Sequence, residues 1–210
     1  MKEWLSGEKN KRMFETKVEA LCGHLRLLGL NATTVKFNER LCVIGPIDQK
    51  SGITGWGLLG AVKVANRNVD LVELVQYAGA DDYLYRCYYV VWAKVEGIEH
   101  KMKAKLKSSR KHLMSREIVD FWWDGNELAQ ALNSDTDLRD MLHRMKKVLR
   151  LRFLFPVLCL EVKLFRKHQG IRIMPKGDYY SPEAAFPSIE TFETFDRVAQ
   201  HIRSIADIHP

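Results

Sequence analysis

The stretch from Tyr83 to Lys107 leaves the backbone that carries it few choices. Its first limb, Tyr-Leu-Tyr-Arg-Cys-Tyr-Tyr-Val-Val-Trp-Ala-Lys-Val, is dense in aromatic and β-branched residues. Its second, Ile-Glu-His-Lys-Met-Lys-Ala-Lys-Leu-Lys, alternates strictly. Both are strand signals with a period of two, and Glu96-Gly97 supplies a two-residue turn with glycine where a positive φ is needed. The spacing predicts a hairpin. Pairing outward from the turn puts Val95/Ile98, Ala93/His100, Val91/Met102, Tyr89/Ala104 and Cys87/Leu106 on a core face. Lys94/Glu99, Trp92/Lys101, Val90/Lys103, Tyr88/Lys105 and Arg86/Lys107 fall on the other, a ladder of lysines beside Trp92 and Tyr88.

The charge of the chain is concentrated at this place. From His100 to Arg116 there are five lysines and two arginines and no acid, and without those seven the remaining 26 basic residues equal the 26 acids. The whole formal excess of +7 therefore sits in one window, where it makes a local positive field able to attract an anion.

An apolar fraction of 46% in 210 residues is enough for a packed core and argues against disorder. The opening residues, Met-Lys-Glu-Trp-Leu-Ser-Gly-Glu-Lys-Asn-Lys, do not read as a secretory signal. The longest apolar run, Phe153 to Leu160, is interrupted by Pro156 and is too short to span a bilayer. Cys22, Cys42, Cys87 and Cys159 are isolated, with no Cys-x-x-Cys pair, as expected of free thiols in a reducing, cytoplasmic setting.

Read in order, the chain predicts one α+β domain over 1–210. A helix over 8–29 carries Phe14, Val18, Leu21, Leu25 and Leu28 on one stripe and stops at Gly29. A strand-rich region over 32–123 follows, with short strands at Thr33–Phe37 and Leu41–Ile44. A hairpin of Gly60–Ala65 and Val69–Tyr77 turns at Asn66-Arg67-Asn68, and Glu117–Trp123 forms a further strand. Two helices over about 125–148 start at Asp124 with Glu127 and at Ser134 with Asp137, both cap patterns. A hairpin over about 157–174 and a helix over about 188–207, with Phe192, Phe195, Ala199, Ile202 and Ala206 on one stripe, complete the chain. Hairpin-length connections predict a largely antiparallel sheet of successive hairpins with helices packed on one side.

Motifs of catalysis are weak. Gly55-Trp-Gly57-Leu-Leu-Gly60 matches G-x-G-x-x-G, but the segment 47–54 before it makes a poor buried strand and the Asn-Arg-Asn turn arrives too soon for a crossover helix. Val62 extends the match to the kinase-type loop, yet neither His-Arg-Asp nor Asp-Phe-Gly follows. A loop or bulge is the plainer reading. The seven histidines show no metal-ligand spacing, so neither metal nor cofactor is expected, and His100 is expected half-buried on the core side. Asp120 and Asp124 flank Phe121-Trp122-Trp123, but two acids four apart make no acid–base pair by themselves.

The lysine face therefore carries the functional expectation. Lys101, Lys103, Lys105, Lys107, Arg110, Lys111 and Arg86 are the candidate anion-binding residues, and Trp92 and Tyr88 the candidate stacking residues, with Arg116 extending the patch. The expected function is a non-enzymatic binding or adaptor module for nucleic acid or another polyanion. The plain counter-reading is a solvated or edge-guarding strand face. Two further classes stay open: a structural protein self-associating through its amphipathic helices, and an enzyme on a phosphorylated small molecule near the glycine-rich loop 52–60.

Overall fold

The computed structural model of the chain has the expected α+β class, with helices and a mostly antiparallel sheet built from hairpins. It describes residues 8–35, 55–78, 83–94, 97–98, 100–110, 118–150, 160–165, 170–175 and 179–208. In chain order the elements are α1 (Glu8–Leu27), β1 (Asn31–Val35), β2 (Gly55–Ala65), β3 (Leu71–Ala78), β4 (Tyr83–Trp92), β5 (Ala104–Arg110), β6 (Ile118–Gly125), α2 (Glu127–Ser134), α3 (Thr136–Arg150), β7 (Leu160–Phe165), β8 (Gly170–Pro175), α4 (Pro182–Ala185) and α5 (Ile189–Ile208). Contacts divide the chain into two units, residues 1–89 with 178–187 and residues 90–177 with 188–210. The expected strand Leu41–Ile44 lies outside the described residues.

In the first unit the N-terminal stripe behaves as its spacing requires. Val18, Leu21 and Leu25 are buried against β1 and β2, and the helix ends where predicted. There Leu30 N–H donates to Leu25 C=O and Gly29 N–H to Arg26 C=O, a Schellman closure. The strand order is β1–β2–β3–β4. The β2–β3 hairpin turns at Asn66-Arg67-Asn68 as expected, but β2 begins at Gly55. The G-x-G-x-x-G run is thus strand with a register shift between Leu58 and Gly60, and no phosphate-cradling loop. A Cβ on Gly60 would stand 2.7 Å from Val18 Cγ2, so the glycine lets α1 close onto the strand. Tyr85 N–H donates to Tyr179 C=O, bringing the segment before α4 back to β4.

In the second unit the order is β8–β7–β5–β6, with the predicted β7–β8 hairpin in register from Leu160↔Pro175 to Phe165↔Gly170. The expected hairpin of Tyr83–Lys107 does not form. β5 lies between β6 and β7, both antiparallel, paired with β6 from Ala104 to Arg110 and with β7 at Ala104 and Lys105, and β4 is not its neighbour. The second limb is strand only from Ala104. Ahead of it, a turn closes from Lys101 N–H to Ile98 C=O. The Lys101 and Lys103 carbonyls then accept from Leu128 N–H and Asn126 N–H. Those carbonyls satisfy orphan amides at the start of α2, so the segment is spent on capping a helix instead of extending a ladder.

The same bonds correct the start of α2. Asp124 belongs to β6 and does not cap it, and Asn126, at the N-cap, makes no side-chain cap bond. For α3 the cap is Asp135, one residue beyond the expected Ser134, with Oδ1 accepting from Leu138 N–H at 3.0 Å. The alternation of the second limb is nonetheless real: Met102, Ala104 and Leu106 are buried while Lys103 and Lys107 are exposed. Phe121, Trp123, Leu128, Leu132, Leu138, Leu142, Phe192, Phe195 and Ile202 are buried in this unit, where α2 and α3 meet β6 and α5. Each such side chain contributes about 1.5–3 kcal/mol on leaving water.

Candidate functional site

The lysines find their neighbours on β6. The register sets Lys105 opposite Asp124, Lys107 opposite Trp122 and Ser109 opposite Asp120, so these residues share the face away from Leu106 and Trp123. Trp122 is 42% exposed and is the register partner of Lys107. Trp122 thus takes the place opposite Lys107 that the expected hairpin gives to Arg86.

Carboxylates stand among the cations. Lys107 Nζ lies 2.7 Å from Asp124 Oδ2, and Lys101 Nζ lies 3.1 Å from Glu127 Oε2. Hydrogen bonding and charge from Lys107, then the charges of Lys103 and Lys105, hold the Asp124 carboxyl below its ordinary range. Lys107 is therefore paired with Asp124 and Lys101 with Glu127, while Lys103 and Lys105 bear on Asp124 through their charge.

The other candidates are placed differently. Tyr88 is 2% exposed, so its ring cannot stack on a ligand, because β4 is covered on both faces at this point. Arg86 is half-buried, with Nη1 3.5 Å from Tyr88 Oη, and both belong to the first unit. Trp92, at the end of β4, is 36% exposed but has no strand pairing with Lys101. Arg110 closes β5 opposite Ile118, while Lys111 and Arg116 lie outside the described residues. His100 is exposed and not on the core side, since the turn at Ile98–Lys101 carries it outward.

Asp120 is committed elsewhere. Arg139 Nε donates to Oδ1 at 3.2 Å and Nη2 to Oδ2 at 2.7 Å, while Phe121 N–H donates to Oδ1 at 2.8 Å. Arg139 is the main cause that holds this carboxyl below its usual range, so it is poorly placed to act as a general acid. Between β6 and the following helices lies a cavity of ≈ 210 Å³ lined by Phe121, Trp122, Leu132, Asn133, Arg139 and Leu142 among others. Its polar walls are already engaged, Arg139 by Asp120 and Asn133 by the Trp123 backbone.

A second charged cluster was invisible in the sequence. The buried Asp135 accepts from Arg197 Nε at 2.7 Å and lies 2.6 Å from His201 Nε2. Burial works to raise its carboxyl, and the bonds from Arg197, His201 and Leu138 N–H outweigh that and hold it well below the carboxylate range. Arg197 and His201 stand at i,i+4 on α5, the one local signal. Their acid lies 62 and 66 residues away. With both oxygens engaged, Asp135 ties the start of α3 to α5 and is not free to activate a nucleophile. Arg172, 1% exposed between Ile171 and Ile173 on β8, is another buried charge that no pattern announced.

Among the described residues no three His, Cys, Asp or Glu side chains gather as metal ligands, and no helix is long and apolar enough to cross a membrane. The described cysteines, Cys22 and Cys87, are free and buried, and burial pushes the Cys87 thiol far up. No family model matches the chain, and neither a curated protein nor a solved structure matches it.

Proposed function

We propose that the protein is a binding module for single-stranded nucleic acid, with the open face of β5 and β6 as its interface. The observation that carries this reading is the register pair of Lys107 and the exposed Trp122, beside Lys103 and Lys105. Alternate residues of a strand stand about 6.6 Å apart. A row of cations at that spacing can track a phosphate backbone, and a flexible single strand is free to follow it while its bases turn toward Trp122. An indole on an open sheet offers a stacking platform to any base, worth about 1–3 kcal/mol. The concentration of all the formal excess charge in residues 100–116 favours encounter with a polyanion.

The test is titration with labelled single-stranded RNA and DNA, a duplex of the same sequence, and anionic lipid vesicles, at rising salt. Single strands are expected to bind best, with log K falling against log salt by about two, the slope of roughly three contacted phosphates. Trp122→Ala should weaken binding about 5- to 150-fold with the melting temperature nearly unchanged. Absence of single-strand binding at low salt, or capture by vesicles alone, overturns the reading.

A further inference from the structure

We infer that Asp124 is a built-in competitor of the ligand, occupying the place on the lysine face that a phosphate takes in the complex. This rests on the reading above and deepens it by naming what limits affinity at the same site. Among the described residues the carboxylate pairs with Lys107 alone: it does not cap α2, and its side chain is 56% exposed. It lies 2.7 Å from Lys107 Nζ and opposite Lys105 in register, with Lys103 near enough to act on its charge. Lys107 thus holds an oxyanion position that the protein fills itself, with the charges of Lys105 and Lys103 bearing on it from nearby.

An exposed lysine–carboxylate pair is weak, and Lys107 is itself 46% exposed, so an incoming anion can displace the acid. A single phosphate gains little by the exchange, because it replaces one anion with another. A chain of phosphates bonds the neighbouring lysines at the same time and gains by linkage. Asp124 therefore sets a threshold that favours polyanions over isolated phosphates.

The experiment compares wild type, Asp124→Asn and Glu193→Gln for binding to the same single-stranded oligonucleotide and to inorganic phosphate. Glu193 is an exposed acid on α5, and its substitution makes the same change in net charge. Asp124→Asn keeps the side-chain shape and should tighten oligonucleotide binding about 3- to 10-fold, steepen the salt slope by about 0.7, and make phosphate binding measurable. Glu193→Gln should bind as wild type does. Asp124→Ser, smaller and also neutral, should follow Asp124→Asn and so separates the loss of charge from any local misfit. Wild-type affinity in Asp124→Asn, or equal tightening in Glu193→Gln, overturns the inference and leaves the reading intact. Failure of wild type and Asp124→Asn alike to bind at low salt overturns the reading itself.

Discussion

Asn133 completes the hydrogen bonding of Trp123 as a paired strand would: its Oδ1 accepts from Trp123 N–H at 2.7 Å and its Nδ2 donates to Trp123 C=O at 2.8 Å. β6 ends the strand order among the described residues, so these groups face its outer edge. Asp120 Oδ1 takes the Phe121 N–H on the same edge. At β1, the terminal strand of the other unit, Arg26 Nε donates to Ala32 C=O at 2.8 Å. In each unit a side chain occupies backbone groups that would otherwise recruit another chain.

Asn133→Ala should therefore do two things. Loss of two hydrogen bonds at a partly solvated edge costs about 1 kcal/mol, read as a lower urea midpoint. The freed edge should also pair with another copy, giving a mass by light scattering that rises with concentration, whereas the Asn133→Asp variant, which can still accept from Trp123 N–H, stays closer to wild type. A destabilised Asn133→Ala protein that shows no added self-association would remove the edge-guarding role.

Asp135 gives a prediction in pH. Its carboxyl is held below the ordinary value in the folded chain, so the stabilisation it provides is complete above the unfolded value of about 3.9 and is lost as pH falls through the folded value. Asp135→Asn keeps a capping side chain but leaves Arg197 and His201 without their acid. Because Arg197 is 37% exposed and can be hydrated, the cost at pH 7 should be about 2 kcal/mol, below that of a fully buried pair. Asp135→Ala should lose about 1 kcal/mol more with the cap. The gap in unfolding free energy between wild type and Asp135→Asn should hold steady from pH 7 to about 5 and narrow below 4. A gap that persists unchanged to pH 2 would show that the ion pairs carry none of it.

What could be read from the sequence was local. The stripe on α1, its stop at Gly29, the Asn66-Arg67-Asn68 turn, the β7–β8 hairpin and the alternation around Leu106 each depend on neighbours a few residues apart. Which strand lies beside which depends on contacts across the chain, and there the reading failed. Adjacent strands with a glycine turn suggested that β4 and β5 pair, whereas β7, more than 50 residues beyond β5, takes one edge of it and β6 the other. The candidate site inherited that error. Lys103 and Lys107 are exposed and Lys101 and Lys105 half-buried, while Tyr88 is buried and the exposed ring in register with Lys107 is Trp122. Asp124 looked like a helix cap because its spacing to Glu127 fits one, while Gly125 turns the chain so that the Lys101 and Lys103 carbonyls take the amides instead.

Gly125 is where β6, α2 and the lysine segment meet, and it supports the last prediction. Its φ of +150° is one that L side chains rarely adopt, and a Cβ there would stand 2.0 Å from the Lys103 carbonyl oxygen. That oxygen accepts from Asn126 N–H at 2.9 Å, so it cannot yield without losing the bond that starts α2. Gly125→Ala should cost about 2–4 kcal/mol. Gly60→Ala meets a side-chain methyl of Val18 instead of backbone and should cost less, about 1–3 kcal/mol. Urea midpoints give the ordering, and oligonucleotide binding by the folded fraction separates the two further. Gly125→Ala moves Lys103 and the start of β5 and should weaken binding, whereas Gly60→Ala lies on another strand and should not. Equal stabilities for Gly125→Ala and wild type would mean that the Lys103–Asn126 closure gives way at no cost, and with it the reason why residues 101–103 leave the strand.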